Sequence, residues 1–132
     1  MENALEQGMT FRLELFVDDL PATVDFYHRV LGFTSGEQHH DGYTPITNGS
    51  VYLALNLRSA LPNDHPIQAV AGERLGRGIE IVLGVDDVAA MYAHVLSERW
   101  PISAELRSQP WGAVDFRVVD PNGYYLRITS RK

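Results

Sequence analysis

Apolar and polar residues alternate along several short segments of the chain, and a helical pattern follows the first of them. Thr10–Val17 alternates and predicts a strand. Asp18 or Asp19 next to it is the residue type that caps a helix N-terminus. Pro21 suits the first helical turn, and Gly32 predicts the end of the helix. The apolar positions of the helix recur three to four residues apart, at Val24, Tyr27 and Leu31.

The same pattern occurs a second time. Arg12–Tyr27 (RLELFVDDLPATVDFY) aligns with Glu80–Val95 (EIVLGVDDVAAMYAHV) at an offset of 68 residues when Asp19 is placed on Asp87. An alternating strand, an Asp-Asp pair and a helical stripe are present in both segments. The offset is about half the chain, so the sequence predicts two copies of one supersecondary module.

Each predicted helix is followed by three extended segments. They are Phe33–His39, Tyr43–Thr47 and Ser50–Leu57 in the first copy, and Ser103–Arg107, Val114–Val119 and Tyr124–Ser130 in the second. Asn-Gly pairs at 48–49 and 122–123 predict tight turns before the last strand of each copy. The order βαβββ, repeated, predicts an α+β fold with modules at about 10–57 and 78–130. The polar stretch 58–77 between them predicts a linker, a lid or both.

Composition narrows the class of protein. The chain has 132 residues, 45% of them hydrophobic and 21% charged, which is typical of one globular domain spanning 1–132. It has no cysteine, no apolar run long enough to cross a bilayer and no visible secretory signal, so a cytoplasmic protein without a membrane partner is expected. The net charge is −6 and no basic patch is present, so a nucleic-acid partner is not expected. That charge slightly favours a neutral or cationic ligand.

The segments FVDDLPATVDFYHRVLGF (16–33) and PWGAVDFRVVDPNGYYLRI (110–128) resemble the vicinal-oxygen-chelate superfamily, which includes glyoxalase I, bleomycin-resistance proteins and extradiol dioxygenases. The resemblance covers about residues 10–130, and the second segment is most similar to the bleomycin-resistance branch. It implies that the two modules form a cup-shaped, mostly antiparallel sheet of eight strands. It also implies a small-molecule ligand bound in grooves between two subunits, and therefore a homodimer.

Metal-dependent members of that superfamily place four ligands in the cup. The resemblance puts two of them seven residues before the helix-starting Asp of each copy and two in the last strands. The corresponding residues here are Arg12, Leu53, Glu80 and Arg127. Arginine only donates hydrogen bonds and stays charged, so this set predicts no metal and no cofactor. The five histidines form no cluster that would replace it.

Arg12, Glu80 and Arg127 are instead expected to meet in the cup. One interpretation is a structural ion-pair triad that joins the modules, since Arg–carboxylate pairs hold geometry well. The other is that Arg127 or Arg12 is partly free to hold an anionic or carbonyl group of a ligand. Burying such charges adds little stability by itself, so the second interpretation stays open beside the first.

Other residues are expected to line the cup beside them. Glu14 and Phe16 share the face of Arg12, and Tyr125 shares that of Arg127. Glu14 would either accept a proton from a ligand or pair with an arginine. Trp111 would either stack on a planar ligand or pack at a dimer interface. Tyr52 alternates away from Leu53 and is expected to pack inside.

Two functions are compatible with these residues, and no catalytic residue is assigned. The first is a metal-free small-molecule binding protein of the bleomycin-resistance type, which would sequester an antibiotic or a related metabolite. The alternative is a lyase, isomerase or dioxygenase of the same superfamily that uses the cup as its active site.

Overall fold

The computed structural model describes residues 3–131, so Met1, Glu2 and Lys132 of the predicted 1–132 domain lie outside the described residues. Eight strands and two helices follow one another as two βαβββ modules, as the alternation predicts. The first module contains β1 (Leu13–Val17), α1 (Leu20–Asp25), β2 (Thr34–Ser35), β3 (Thr44–Asn48) and β4 (Val51–Leu57). The second contains β5 (Glu80–Val85), α2 (Val88–Ser97), β6 (Ala104–Ser108), β7 (Val114–Val119) and β8 (Tyr125–Ser130).

The eight strands form two mixed sheets of four strands each. Their orders are β1-β4-β3-β2 and β5-β8-β7-β6, and the first strand of each module pairs in parallel with the last. The remaining pairs are antiparallel. The α+β class and the tandem modules are therefore confirmed. The hydrogen bonding of residues 3–131 gives two sheets rather than one continuous sheet of eight strands.

Both helices begin at the predicted aspartates. The side chain of Asp19 accepts a hydrogen bond from Ala22 N at 3.0 Å, and that of Asp87 accepts one from Ala90 N at 3.0 Å. These bonds satisfy N–H groups that have no partner inside a helix. After α1 the chain continues as a π-helical turn, Phe26–Val30, a departure that the spacing of apolar residues does not reveal.

A single hydrophobic core joins the two modules on the helix side of the sheets. Its largest fully buried side chains include Tyr27, Phe26 and Phe116. The hydroxyl of Tyr27 donates to Oδ2 of Asp120, a residue of the second module, at 2.8 Å. Trp100 packs on Phe26 with 4.6 Å between ring centroids. The modules are thus held together by buried contacts as well as by the chain between them.

The segment 58–77 follows β4 and has no strand, but it is anchored at several points. Leu75 is buried in the core, and the guanidinium of Arg58 pairs with the carboxylate of Asp18 at 2.9 and 3.2 Å. Gln68 donates to the carbonyl of Arg58 at 3.1 Å. The segment therefore serves as a connection that covers the edge of β1. Neither helix within residues 3–131 combines the length and apolarity needed to cross a membrane.

Candidate functional site

Successive side chains of a strand point alternately to the core and to the opposite face of the sheet. That opposite face is called here the open face. On the second sheet this face carries opposed charges because of the strand register. Arg117 of β7 lies directly opposite Arg127 of β8, while Glu80 begins the neighbouring strand β5. The carboxylate of Glu80 lies between the two guanidiniums, 3.1 Å from Nε of Arg117 and 3.2 Å from Nε of Arg127. The like charges of the two arginines are therefore separated by an anion.

A second carboxylate completes the group. Asp115 of β7 is fully buried, and its oxygens lie 3.6 Å from Nη1 of Arg117 and 3.7 Å from Nη1 of Arg127. The amide of Gln109 donates to Oδ1 of Asp115 at 2.8 Å. Glu80, Asp115, Arg117 and Arg127 are called here the arginine cluster. Two cations and two anions balance one another, which limits the cost of removing them from water.

Arg127 is the cation of the cluster whose guanidinium makes no hydrogen bond within residues 3–131. Its guanidinium lies at ion-pair distance from both carboxylates, yet within residues 3–131 Nε of Arg127 and Oδ2 of Asp115 are buried without a hydrogen-bond partner. A guanidinium carries five N–H donors in a fixed plane. The side chain of Arg127 is 21% exposed, so part of that donor set faces outward.

Arg117 is held more firmly. Its hydrogen bond to Glu80 is the main cause that raises the pKa of Arg117 above the ordinary arginine value, with the charges of Asp115 and Glu80 adding to the effect. The guanidinium therefore keeps its proton throughout the physiological range. Sequence reasoning missed this residue, although the alternation of Val114–Val119 places Asp115 and Arg117 on one face, and that signal was sufficient to find them.

The predicted triad of Arg12, Glu80 and Arg127 is not what the structure shows. Arg12 lies just before β1, its side chain is 64% exposed, and it pairs with Glu14 at 2.9 Å. Arg117 takes the place beside Glu80 that Arg12 was expected to hold. The reason is the sheet order: β5 and β7 flank β8 in one sheet, so Arg117 reaches Glu80 past Arg127, whereas Arg12 precedes a strand of the other sheet.

The expected position of Leu53 on the open face is also wrong. Leu53 is buried in the core, and Tyr52 and Ala54 on either side of it face the other way. The register explains the error: Leu13 pairs with Leu53, whereas the matching Ile81 pairs with Leu126. The structural counterpart of Arg127 is therefore Ala54, one position later than the turn motif suggested. Tyr52, expected inside, is partly exposed.

The open face of the first sheet carries its own polar side chains. Glu14 accepts from the amide of Asn56 at 3.3 Å in addition to pairing with Arg12. A side-chain hydrogen bond to Tyr52 raises the pKa of Tyr43 above its usual value. Phe16 shares this face with Glu14. No ion pair or side-chain hydrogen bond within residues 3–131 links this set to the arginine cluster.

Tyr125 and Trp111 lie at the margins of the second open face. Tyr125 is next to Glu80 in the register, and the guanidinium of Arg74 lies 5.7 Å from its ring centroid. Trp111 occupies the turn between β6 and β7 and is 55% exposed. The indole of Trp111 is therefore available for a ligand or for another protein chain.

The residues at the positions that the metal-dependent relatives use do not fit a metal ion. With the register corrected, these positions hold Arg12, Ala54, Glu80 and Arg127. Two cations and a methyl group leave one carboxylate as the sole possible donor, and divalent metals need several anionic or imidazole ligands. Over residues 3–131, no group of three or more His, Cys, Asp or Glu side chains is placed to bind one.

Comparison with known proteins agrees with this architecture. The sequence profile of the Glyoxalase/Bleomycin resistance protein/Dioxygenase superfamily matches residues 10–128. No curated protein sequence matches the chain at a significant level.

Solved structures share the fold at low sequence identity. TioX from Micromonospora sp. ML1 is 21% identical, with a TM-score of 0.75 over 95% of this chain and 100% of that one. A protein of unknown function from Agrobacterium tumefaciens str. C58 is 24% identical, with a TM-score of 0.75 over 98% and 100% of the two chains. A lactoylglutathione lyase from Agrobacterium tumefaciens is 18% identical, with a TM-score of 0.71 over 95% of each chain.

Proposed function

The chain belongs to the Glyoxalase/Bleomycin resistance protein/Dioxygenase superfamily, and on that premise we propose that it is a metal-free binding protein for a small molecule. The observation that carries the proposal is Arg127, a partly exposed cation whose guanidinium makes no hydrogen bond within residues 3–131, at a position that metal-dependent relatives use for a ligand. The ligand is a molecule with a carbonyl or carboxylate oxygen. Antibiotics and related metabolites with such groups are the first candidates, in line with the superfamily's bleomycin-resistance members.

The charge balance of the arginine cluster supports this ligand class. Glu80 and Asp115 offset the two guanidiniums, so a neutral carbonyl or a single carboxylate adds little repulsion, whereas a polyanion would face the chain's net charge of −6. A hydrogen bond to a charged donor contributes about 1.5–3 kcal/mol. One hydrogen bond from Arg127 to a ligand oxygen is therefore sufficient to orient a small ligand.

Isothermal titration calorimetry against a panel of carbonyl- and carboxylate-containing compounds, antibiotics included, tests the proposal. We expect saturable binding of at least one compound, and Arg127→Ala to weaken it by roughly 10- to 100-fold. Arg29→Ala is the matched control, because Arg29 forms surface ion pairs on the helix side of the sheets. Wild-type affinity in Arg127→Ala, or no binding by any compound, would contradict the proposal.

The metal-free part of the proposal has its own test. Elemental analysis of the purified protein after dialysis is expected to find no transition metal at a stoichiometric level, because the donors at the superfamily's ligand positions do not form a metal site. A stoichiometric metal that survives dialysis would overturn this part and would favour an enzyme.

We also propose that the protein forms a homodimer. The support is that large apolar side chains stay exposed on one chain, among them Phe11, Val82 and Trp111. A second copy would cover such side chains. Sedimentation equilibrium is expected to give twice the chain mass. Replacing Trp111 and Val82 with Ser is expected to shift the mass toward that of one chain.

A further inference from the structure

A cavity lies between the two modules on the side away from the segment 58–77. It has a volume of about 580 Å³, within the range usual for small-molecule sites. Its lining is mixed: Phe33, Val51, Leu83 and Ile128 are apolar, and the polar residues are Asn48, Ser50, Asp86 and Arg131. No member of the arginine cluster lines it. This cavity is therefore a location separate from the site proposed above.

The internal repeat relates the residues around this cavity to residues at the matching place beside the segment 58–77. Asp86 stands 68 residues after Asp18, and Arg131 stands 73 residues after Arg58, matching the offsets of the first and last strands. Both pairs form the same ion pair, Arg58 Nε to Asp18 at 2.9 Å and Arg131 Nε to Asp86 at 3.1 Å. The place marked by Asp18 and Arg58 is called here the first joint, and the place marked by Asp86 and Arg131 the second joint. The two joints thus share one arrangement of charged side chains.

At the first joint a tyrosine bonds to the edge of β1. The hydroxyl of Tyr124 accepts a hydrogen bond from the backbone N–H of Phe16 at 3.2 Å and donates one to the carbonyl of Phe16 at 2.9 Å. The ring of Tyr124 packs directly on Gly76, where an added Cβ would lie 2.5 Å from Cδ1. One phenol group therefore satisfies both edge groups of β1, and its ring forms part of the wall of a cavity of about 450 Å³ that remains at this joint.

At the second joint the tyrosine is missing. The counterpart of Tyr124 is Val51 and the counterpart of Phe16 is Gly84, and both line the cavity. The carbonyl of Val85 accepts from Arg131 N on the β8 side at 2.9 Å. Successive residues of a strand point their backbone groups to opposite sides, so the N–H and carbonyl of Gly84 point to the free edge. No side chain within residues 3–131 bonds to them as Tyr124 does to Phe16.

We propose that this cavity binds a phenol-bearing small molecule. Its hydroxyl accepts from the N–H of Gly84 and donates to the carbonyl of Gly84, and its ring lies between Val51, Leu83 and Ile128. The chain uses this arrangement once already with Tyr124. Two backbone groups without a protein partner and a group of apolar side chains beside them are the two requirements of such a ligand.

Titration of the ¹⁵N-labelled protein with p-cresol, the tyrosine side chain as a free molecule, tests the proposal. We expect saturable shifts centred on the Gly84 amide, with the Phe16 amide unchanged. Toluene has the same ring and methyl group without the hydroxyl. It is expected to bind about three- to tenfold more weakly, as the loss of one or two neutral hydrogen bonds predicts.

Val51→Tyr is the informative variant, because its new ring is expected to occupy the cavity and abolish the p-cresol shifts. Val70→Tyr makes the same substitution at an exposed position outside the cavity and is expected to bind p-cresol like the wild type. Absence of saturable shifts, equal affinity for toluene, or shifts centred on the arginine cluster would overturn the proposal. If Val51→Tyr does not fold, the comparison of p-cresol with toluene on the wild type decides alone.

Discussion

The hydrogen bond between Tyr27 and Asp120 gives the sharpest prediction about how the modules hold together. Oδ1 of Asp120 accepts backbone N–H groups from Asn122, Gly123 and Tyr124 at 2.8 to 3.0 Å, whereas Oδ2 accepts from the Tyr27 hydroxyl. Both side chains are buried. Tyr27→Phe keeps the ring and removes this one donor, so a buried carboxylate oxygen loses its partner.

The expected cost follows from the charge and the burial. A hydrogen bond to an ionised group contributes about 1.5–3 kcal/mol, and the ring's packing is unchanged. We therefore expect Tyr27→Phe to lower the free energy of unfolding by about 2 kcal/mol, and the melting temperature by about 8 °C for a chain of this size. Urea denaturation at one fixed protein concentration measures the first value, and calorimetry measures the second.

The pH dependence of this loss is a further check. Burial raises the pKa of Asp120, and the bond from Tyr27 opposes that rise. Removing the bond raises the pKa of Asp120 further, so the loss of stability is full where Asp120 is ionised and shrinks as the pH falls through its pKa. Tyr92→Phe is the control, since the Tyr92 hydroxyl makes no hydrogen bond within residues 3–131, and a change within about 0.5 kcal/mol is expected. An equal stability for Tyr27→Phe and wild type at pH 7 would refute the reasoning.

Three further predictions concern the cluster, a linker glycine and the buried acid. Asp115→Ala is expected to cost about 3 kcal/mol in urea denaturation, because it leaves two guanidiniums without their buried partner, whereas Glu80→Ala at a partly exposed position is expected to cost about 1 kcal/mol. Gly76→Ala is expected to lower the melting temperature well beyond Gly72→Ala, since both have positive φ but only Gly76 packs on a ring. Because the pKa of Asp120 is raised above 3.8, its ionisation costs stability as the pH rises through the raised value. Asp120→Asn is therefore expected to lack this loss when melting temperatures are compared between pH 4 and pH 7, and parallel profiles for variant and wild type would count against it.

Capping residues and the alternation of apolar residues predicted much of the fold, because both depend on interactions between residues close in sequence. The caps at Asp19 and Asp87 follow from free N–H groups in the next turn, and the alternation of Val114–Val119 gives its bounds without error. The predicted strand Phe33–His39 shortens to Thr34–Ser35, and after it only isolated backbone bonds, from Gly36 to Pro45 and from His39 to Tyr43, continue toward β3. The patterns describe single segments well.

Contacts between distant segments account for what the sequence did not reveal. The error at Leu53 came from a turn of different length in the two modules, which alternation within one strand does not record. The bond from Tyr27 to Asp120 joins residues 93 positions apart. The pairing of Glu80 with Arg117 depends on which strands are neighbours, and only the sheet order supplies that information.

The two modules have diverged at matched positions, and that divergence separates two candidate sites. Arg127 of the second module corresponds to Ala54 of the first, so charge is concentrated on one sheet. Tyr124 corresponds to Val51, so a phenol group bonds the edge of β1 at one joint, whereas the cavity at the other joint has no such group. The backbone arrangement is the same in both modules, so each difference is a substitution of a side chain and not a change of fold. Because the cluster and the cavity have no residue in common, loss of Arg127 is expected to leave p-cresol binding intact, and filling the cavity is expected to leave the arginine cluster's ligand bound.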